Sequence, residues 1–438
     1  MEEARKKYPN QPFRITTDYG ERIVLPPHLI ADDFHVDIPG FETMSLLCRD
    51  DMMVSLIKKN MVKPSATMTK MLSQESAFLL SKLIGESTDW REMEVAPLVG
   101  EIVPRLAGRA FLGEELCRDE EWLEITRQYQ HKFLCGSAAL NMVPKPLRRF
   151  VYWMIPEIVA LRSLMKEARR LLAPAIAKRR EMREAAVAGG REPPKFEDAF
   201  NWLEEEATAR GLVCDEVLMA DFQMMMGFIA FHTTSDLLIQ IVIDLAHYEE
   251  YMQPLREEVI HLLQTEGMSK SSFYKMQLLD SCLKETQRMK PLEHLMLRRI
   301  VTNDMRLSNG LLLKKGTRTL VDSRAMRNPA VYENPDEWDG ARFVKLRSQL
   351  GGAASAQLVS STADHFGFGY GKHACPGRFF VAVTLKVLLS HLLVKYEWKL
   401  PPSTDTAPVG MGVQLVSNPT AKILIRRREQ LEVDLDSM

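Results

Sequence analysis

A single cysteine, Cys375, closes a loop rich in glycine and aromatic residues (HFGFGYGKHACPG, 365–377) and stands immediately before an apolar segment rich in Val and Leu. Glycines at 367, 369, 371 and 377 allow unusual backbone dihedrals and close approach to a flat ligand. The loop amides and the N-terminus of a following helix would stabilise a negatively charged sulfur. The segment therefore predicts a thiolate that is presented to a ligand, rather than an inert buried thiol.

Residues 1–290 mostly predict helices, because apolar residues recur at spacings of three and four and strong helix formers dominate. Residues 21–26 (ERIVLP) and 304–321 interrupt this pattern and predict strands, the latter paired across a Gly-containing turn. Residues 327–347 and 351–362 predict loops. The predicted fold class is therefore mainly α with a small β-sheet region.

The charges are balanced, with 57 Lys and Arg against 58 Asp and Glu, so no global field attracts nucleic acid. The six cysteines are scattered, as in proteins of a reducing compartment. Residues 185–194 resemble a linker, but the flanking segments lack separate cores. We therefore predict a single domain over residues 1–438.

No uninterrupted apolar run is long enough to span a bilayer. The longest apolar segment, 222–246, contains the polar run HTTSD at 232–236, which is typical of a buried helix beside a cavity. Residues 142–164 mix aromatic and basic side chains. This pattern suits either a contact with a membrane surface around Phe150 to Ile155 or a buried core helix.

Glu285 and Arg288 lie three positions apart in a predicted helix, and so their opposite charges share one face. Alone, such a pair is most often exposed and contributes little to stability. The segment Asp339-Gly-Ala-Arg342-Phe343 follows between this pair and the cysteine loop, and it offers a second basic partner.

Phe368-x-x-Gly371-x-x-x-Cys375-x-Gly377 resembles the cysteine-loop pattern of the cytochrome P-450 family. The resemblance covers essentially the whole chain, and it is to fungal members of specialised metabolism. It implies the family's fold, in which haem lies between a long central helix and the cysteine loop with its helix. Cys375 is then the proximal ligand of the iron of haem b, and a cysteinate ligand favours cleavage of the O–O bond.

The same resemblance implies a buried ion-pair network of Glu285, Arg288 and Arg342 that supports folding and haem retention. The segment 230–234 (AFHTT) is similar to the family's oxygen-binding motif, which aligns Thr233 with the oxygen-side threonine. His232 stands where the family usually has an acid. It either relays protons or is a core histidine that a backbone carbonyl satisfies.

Two further positions resemble partners of the haem propionates. His373 stands where the family often has an arginine, and it can still donate a hydrogen bond. Arg298 matches a position that supplies a guanidinium to a propionate, and the adjacent Arg299 could exchange roles with it.

The resemblance implies a monooxygenase that inserts one oxygen atom from O2 into an apolar small molecule, terpenoid or polyketide-like, in secondary metabolism. NADPH would supply the electrons through a cytochrome reductase. The alternatives are a haem-thiolate isomerase or dehydratase that needs no reductase, and a haem-binding relative without activity. A zinc site of His365, His373 and Cys375 lacks a fourth ligand.

Eukaryotic members of the resembled family carry an N-terminal membrane anchor and a hinge, which place the catalytic domain at the cytosolic face of the endoplasmic reticulum membrane. The chain is expected to lack both segments, and so to be soluble or peripheral as it stands.

Overall fold

The computed structural model describes residues 13–17, 20–25, 43, 46, 52–62, 66–301, 303–307, 310–349, 351–411 and 413–438. Over this part the chain is mainly helical with several short strands. The predicted fold class, mainly α with a small β-sheet region, is therefore confirmed.

Long helices dominate the first part of the chain, and the later ones are mostly shorter. They are α1 (Met52–Met61), α2 (Ala66–Leu83), α3 (Val95–Leu112), α4 (Glu114–Cys117), α5 (Glu120–Asn141), α6 (Lys145–Val151), α7 (Pro156–Ala188), α8 (Ala199–Ala209), α9 (Glu216–His247), α10 (Met252–Glu266), α11 (Lys270–Lys275), α12 (Gln277–Met289), α13 (Arg342–Ser348), α14 (Gly352–Ser355) and α15 (Arg378–Lys395). Short 3-10 helices are Tyr152–Met154, Glu249–Tyr251, Ser323–Arg327 and Gly371–His373.

The strands are short and form small sheets. They are β1 (Phe13–Thr17), β2 (Gly20–Leu25), β3 (Arg91–Glu94), β4 (Leu295–Ile300), β5 (Met305–Arg306), β6 (Leu312–Leu313), β7 (Arg318–Asp322), β8 (Tyr396–Lys399), β9 (Val409–Met411), β10 (Gln414–Val416) and β11 (Lys422–Arg427). One sheet has the order β1-β2-β7-β4 and another β3-β11-β8, while β9 pairs with β10 and β5 with β6. Strands β2 and β7 are parallel, with Val24 opposite Leu320. The predicted strands at 21–26 and 304–321 thus correspond to β2 and to β5 through β7.

Internal contacts divide the chain into two compact units. The first unit comprises Met1–Phe34, Leu80–Val99 and Ser235–Met438, and it contains all the described strands. The second comprises His35–Leu79 and Gly100–Thr234, and its described elements are helical. The single domain inferred from the sequence stays a prediction.

Helix α15, which follows the cysteine loop, is buried along most of its length in the first unit. Because Val and Leu occur on all sides of α15, the burial of this helix is expected. In the second unit, α5 packs closely on α7. A Cβ atom at Gly136 would lie only 3.2 Å from Ile158 Cγ1, so glycine allows this close approach.

Helix α9 is long and apolar enough to cross a bilayer, and it is the one described helix with this property. In the apolar 18-residue stretch of this helix, 67% is buried inside the protein, as in the core helix of a globular protein. This agrees with the sequence interpretation of the segment as a buried helix.

Both segments that predicted loops contain helices, because α13 lies partly within 327–347 and α14 lies within 351–362. Helix α13 begins at Arg342, and its amides at Phe343 and Val344 donate to Ser281 Oγ at 3.0 and 3.3 Å. Because the first amides of a helix have no partner within it, this distant hydroxyl stabilises the start of α13. The candidate linker at 185–194 also begins inside a helix, since α7 continues to Ala188.

Candidate active site

The cysteine loop folds back on itself, and this places Cys375 opposite Phe368. The backbone N–H of Cys375 donates to the carbonyl of Phe368 at 2.7 Å, and that of Gly369 donates to Phe366 at 2.8 Å. Phe366 is fully buried in the core of the first unit. The loop is therefore anchored by an aromatic side chain and closed by backbone hydrogen bonds.

Glycine has distinct roles at different positions of this loop. Gly369 and Gly371 have φ angles of 76° and 66°, which L side chains rarely adopt. Gly377 has a φ of −81°, which any residue adopts, so the expectation of an unusual dihedral is wrong there. Gly367 lies against the side chain of Gln287, which would have to move if position 367 carried a Cβ atom.

The surroundings of the Cys375 sulfur act on its charge in opposite directions. Burial raises the pKa of the thiol, whereas hydrogen bonds from the backbone amides of Gly377 and Arg378 and the charge of the Arg378 guanidinium lower it. The net pKa is raised. Burial, the larger effect, therefore favours the neutral thiol in the protein chain alone, whereas the two amides and the guanidinium favour the thiolate.

The side chain of Arg378, at the start of α15, joins the cysteine loop to a separate segment of backbone. Its Nη1 atom donates to the Cys375 carbonyl at 2.7 Å and its Nε atom to the Val359 carbonyl at 2.9 Å. His373 lies on the exposed side of the loop, in the 3-10 helix that precedes Cys375.

The structure brings Glu285, Arg288 and Arg342 together in the interior of the first unit. Glu285 Oε2 accepts from Arg288 Nε at 2.7 Å, and Glu285 Oε1 accepts from Arg342 Nε at 2.9 Å. The backbone N–H of Asp339 also donates to Glu285, at 3.1 Å. Arg288 Nη1 donates to the Pro335 carbonyl at 2.7 Å. One carboxylate thus joins two buried guanidinium groups, which in turn hold the backbone near residue 335.

Thr233 and His232 lie on α9, at the end of the second unit. The Thr233 hydroxyl is exposed and donates to the Ile229 carbonyl at 3.3 Å, while the helix continues without a break. His232 is partly buried, and its Nε2 atom has no hydrogen-bond partner among the described residues.

A backbone irregularity in β4 determines where Arg298 and Arg299 lie. The register with β7 shifts between Met296 and Arg299, and Leu297 has a φ of 53°. Arg298 forms an ion pair with Glu293 at 2.5 Å and remains partly exposed, whereas Arg299 is buried. Such a bulge redirects neighbouring side chains, so simple strand alternation does not describe this pair.

In the part of the chain that the structure describes, no three His, Cys, Asp or Glu side chains lie where they could hold a metal ion together. His365 is fully buried, and its Nε2 atom lies 3.1 Å from the Lys284 carbonyl. The five described cysteines are free, and Cys48 lies outside the described residues. These observations give no support to a zinc site of His365, His373 and Cys375.

Residues 52–426 match the family model for cytochrome P-450. The chain belongs to the cytochrome P-450 family. It is 41% identical to cytochrome P-450 monooxygenase 2 of Gibberella fujikuroi, over 100% of this chain and 85% of the relative. It is 38% identical to the cytochrome P-450 monooxygenase hepE of Aspergillus oryzae, over 97% of this chain and 80% of the relative. It is also 33% identical to the cytochrome P-450 monooxygenase TRI1 of Fusarium sporotrichioides, over 100% of this chain and 82% of the relative.

The predicted family and reaction class are confirmed: this cytochrome P-450 is a monooxygenase of secondary metabolism. Members of the family use haem b, with electrons from a redox partner, and act on a substrate and O2. The predicted haem cofactor is therefore confirmed with the family.

The residues of this cytochrome P-450 suit a haem. The Cys375 sulfur accepts hydrogen bonds from the backbone N–H groups of Gly377 and Arg378, which is the environment expected of an iron thiolate. Glycine at positions 369 and 371, where φ is positive, also leaves the loop backbone without side chains at these two positions.

Sequence reasoning missed the contact between α12 and the cysteine loop. Gln287 is buried against Gly367, and its Oε1 atom has no hydrogen-bond partner among the described residues. Gln287 lies at one of the two undefined positions of the Glu285-x-x-Arg288 motif. The sequence carries no signal for this contact, because 80 positions separate the two residues.

Proposed function

We propose that this monooxygenase oxidises an apolar small molecule of terpenoid or polyketide type, with electrons that an NADPH-cytochrome reductase supplies. The supporting observation is the surface of α9 before Thr233, where Phe228, Ile229 and Ala230 are partly exposed. Phe228 packs on Phe133 with ring centroids 4.3 Å apart. An apolar surface beside a hydroxyl suits an apolar substrate that is oriented by few polar groups.

The residues of α9 that precede Gly227 do not contribute to this surface. In the structure Met224, Met225 and Met226 are buried in the core of the second unit. The partly exposed residues are the three that follow Gly227, about one turn further along the same helix. The proposal of an apolar substrate therefore rests on Phe228, Ile229 and Ala230.

Cys375 is the proposed ligand of the haem iron, and Phe368, Gly371 and Gly377 shape its loop. His373 and Arg298 are the proposed partners of the haem propionates. When bound, haem supplies the chemistry that activates O2, whereas the protein binds, orients and protects the reactants.

Thr233 and His232 are the proposed groups for proton delivery. The Thr233 hydroxyl donates to the Ile229 carbonyl, so its oxygen can accept a hydrogen bond from water and hold a proton at Oγ1. The buried Nε2 atom of His232 has no hydrogen-bond partner among the described residues, so it is free to bond to a water molecule or a substrate. Both groups support a controlled supply of protons.

The reaction is tested by supplying the haem-loaded protein and a reductase with NADPH, ¹⁸O2 and a panel of terpenes and polyketides. We expect a product that carries one ¹⁸O atom and forms only with NADPH. A product without ¹⁸O, formed equally well without NADPH, would instead indicate an isomerase or dehydratase.

Replacing Thr233 with alanine should lower the yield of product per NADPH consumed. The expected loss is on the order of 10²-fold, since proton transfer by a positioned group contributes at least that much. Thr233→Ser keeps the hydroxyl and serves as the control, and it should retain most of the coupling. Equal coupling in the alanine variant and the wild type would remove Thr233 from proton delivery.

The segment from the end of α5 to the start of α7 is proposed to contact the cytosolic face of the endoplasmic reticulum membrane. Its exposed large apolar side chains are Met142, Leu147, Phe150, Trp153, Met154 and Val159. The sequence left open whether this segment is a buried core helix or a membrane contact, and the exposure of Phe150 (66%) and Trp153 (61%) favours the contact. Soluble proteins rarely expose such a cluster without a partner.

The double substitution Phe150→Asp and Trp153→Asp should weaken binding to phosphatidylcholine and phosphatidylserine vesicles by about 100-fold or more. Each side chain contributes about 1.5–3 kcal/mol when it leaves water. Co-sedimentation with the vesicles measures this effect. The control is Val187→Asp, at an equally exposed position near the end of α7. The proposal fails if the double variant and the control bind the vesicles alike.

A further inference from the structure

Lys284 stands one residue before Glu285 on α12, and its side chain is fully buried. Its Nζ atom donates to the backbone carbonyls of Ser355, Gln357 and Ser360, at 3.0, 2.6 and 2.8 Å. Three acceptors need three hydrogens, so the amine is held as the ammonium although burial lowers the pKa of Lys284 to about 7. All hydrogen-bonding capacity of this buried group is therefore directed at one stretch of backbone, residues 355–360.

Asp280 lies one turn earlier on the same helix and holds the same 355–360 segment. Its Oδ2 atom accepts from the backbone N–H of Leu358 at 2.8 Å, and Leu358 is fully buried. Its Oδ1 atom lies 2.6 Å from Lys386 Nζ on α15. One face of α12 therefore fixes both a donor and several acceptors of the segment, so the segment has little freedom to shift.

The 355–360 segment is connected to the cysteine through Arg378. The Arg378 guanidinium donates to the Val359 carbonyl at 2.9 Å and to the Cys375 carbonyl at 2.7 Å. Because a guanidinium is planar and its donors have fixed directions, moving the Val359 carbonyl must also move the group that holds Cys375.

The backbone of Lys284 holds the other end of the cysteine loop. Its carbonyl lies 3.1 Å from Nε2 of His365, the first residue of that loop, and His365 is buried. The ammonium and the carbonyl of one residue therefore act on the two ends of the loop that carries Cys375.

We propose that Lys284 is a positioning residue for the haem ligand: it fixes the 355–360 segment and, through Arg378, the place at which Cys375 presents its sulfur. This rests on the proposed assignment of Cys375 as the iron ligand. Lys284 acts through bonds other than those of Glu285, Arg288 and Arg342, so its loss should misplace the thiolate in protein that is still folded.

The test compares the ferrous–CO absorption spectra of the haem-loaded wild type and the Lys284→Met variant, at a temperature where their circular dichroism agrees. We expect a fall in the ratio of two absorbances, that of the strongly red-shifted Soret band of thiolate-ligated haem to that of the Soret band of haem without a thiolate ligand. The fall should be on the order of tenfold, as for the loss of one hydrogen bond to a charged group. The matched control is Lys395→Met, which removes another buried lysine of the first unit, paired with Asp436. It should lower thermal stability and leave the ratio unchanged.

A Lys284→Met protein that melts earlier but keeps the wild-type ratio overturns the positioning role and leaves the monooxygenase assignment intact. If Lys284→Met does not fold, the second variant is Asp280→Ala, which removes the acceptor of the Leu358 N–H in the same segment. This variant must lower the ratio, and an unchanged ratio in it also overturns the positioning role. A wild-type spectrum without a thiolate band overturns the assignment of Cys375 itself, and this result is distinct from the others.

Discussion

Replacing Glu285 with alanine is expected to destabilise the protein by about 3–5 kcal/mol, since the buried Arg288 and Arg342 would both lose their carboxylate partner. A loss of this size is a large part of the roughly 5–15 kcal/mol that stabilises a typical protein. We therefore expect little folded, haem-containing protein at 37 °C. Thermal unfolding followed by circular dichroism, with haem content measured in parallel, reports both effects.

Glu285→Gln separates the charge from the shape of this side chain. It keeps an acceptor for Arg288 but removes the negative charge, and so it should also be strongly destabilised. Glu266→Gln serves as the matched control, because it breaks the more exposed pair with Lys275 in the same unit. If Glu285→Ala melts within a degree or two of the control, the ion-pair network is not needed for the fold.

The sequence predicted the helical elements well where the local pattern carries the information. The run of apolar residues in 222–246 predicted a buried helix, and α9 covers it. The strand at 21–26 was likewise found from its local pattern, as β2. Helix α13 was missed, since the Ser281 hydroxyl that stabilises its first turn comes from a distant part of the chain.

The parts of the candidate site that could be predicted have short, regular spacing. Glu285 and Arg288 are one helical turn apart, and Cys375 lies in a compact loop. The contribution of Lys284 could not be read from the sequence, because its acceptors lie at residues 355–360 and only folding brings them together. Arg298 and Arg299 could not be placed either, since the bulge at Leu297 sets their directions.

Replacing Cys375 with alanine is expected to abolish thiolate ligation without unfolding the protein. The sulfur is the only group that the substitution removes, while the hydrogen bonds from the Cys375 N–H to Phe368 and from Arg378 to the Cys375 carbonyl use backbone atoms and remain. Product formation should fall below detection, because the electron donation of a cysteinate cannot be replaced by a methyl group. Cys282→Ala is the control, since it removes another buried thiol of the same unit.

The absorption spectrum of the dithionite-reduced, CO-bound protein tests this assignment most directly. The wild type and Cys282→Ala should show the strongly red-shifted Soret band of a thiolate-ligated haem, and Cys375→Ala should lack it. The same band in Cys375→Ala, or its absence from the haem-loaded wild type, would contradict the assignment of Cys375 as the ligand of the iron.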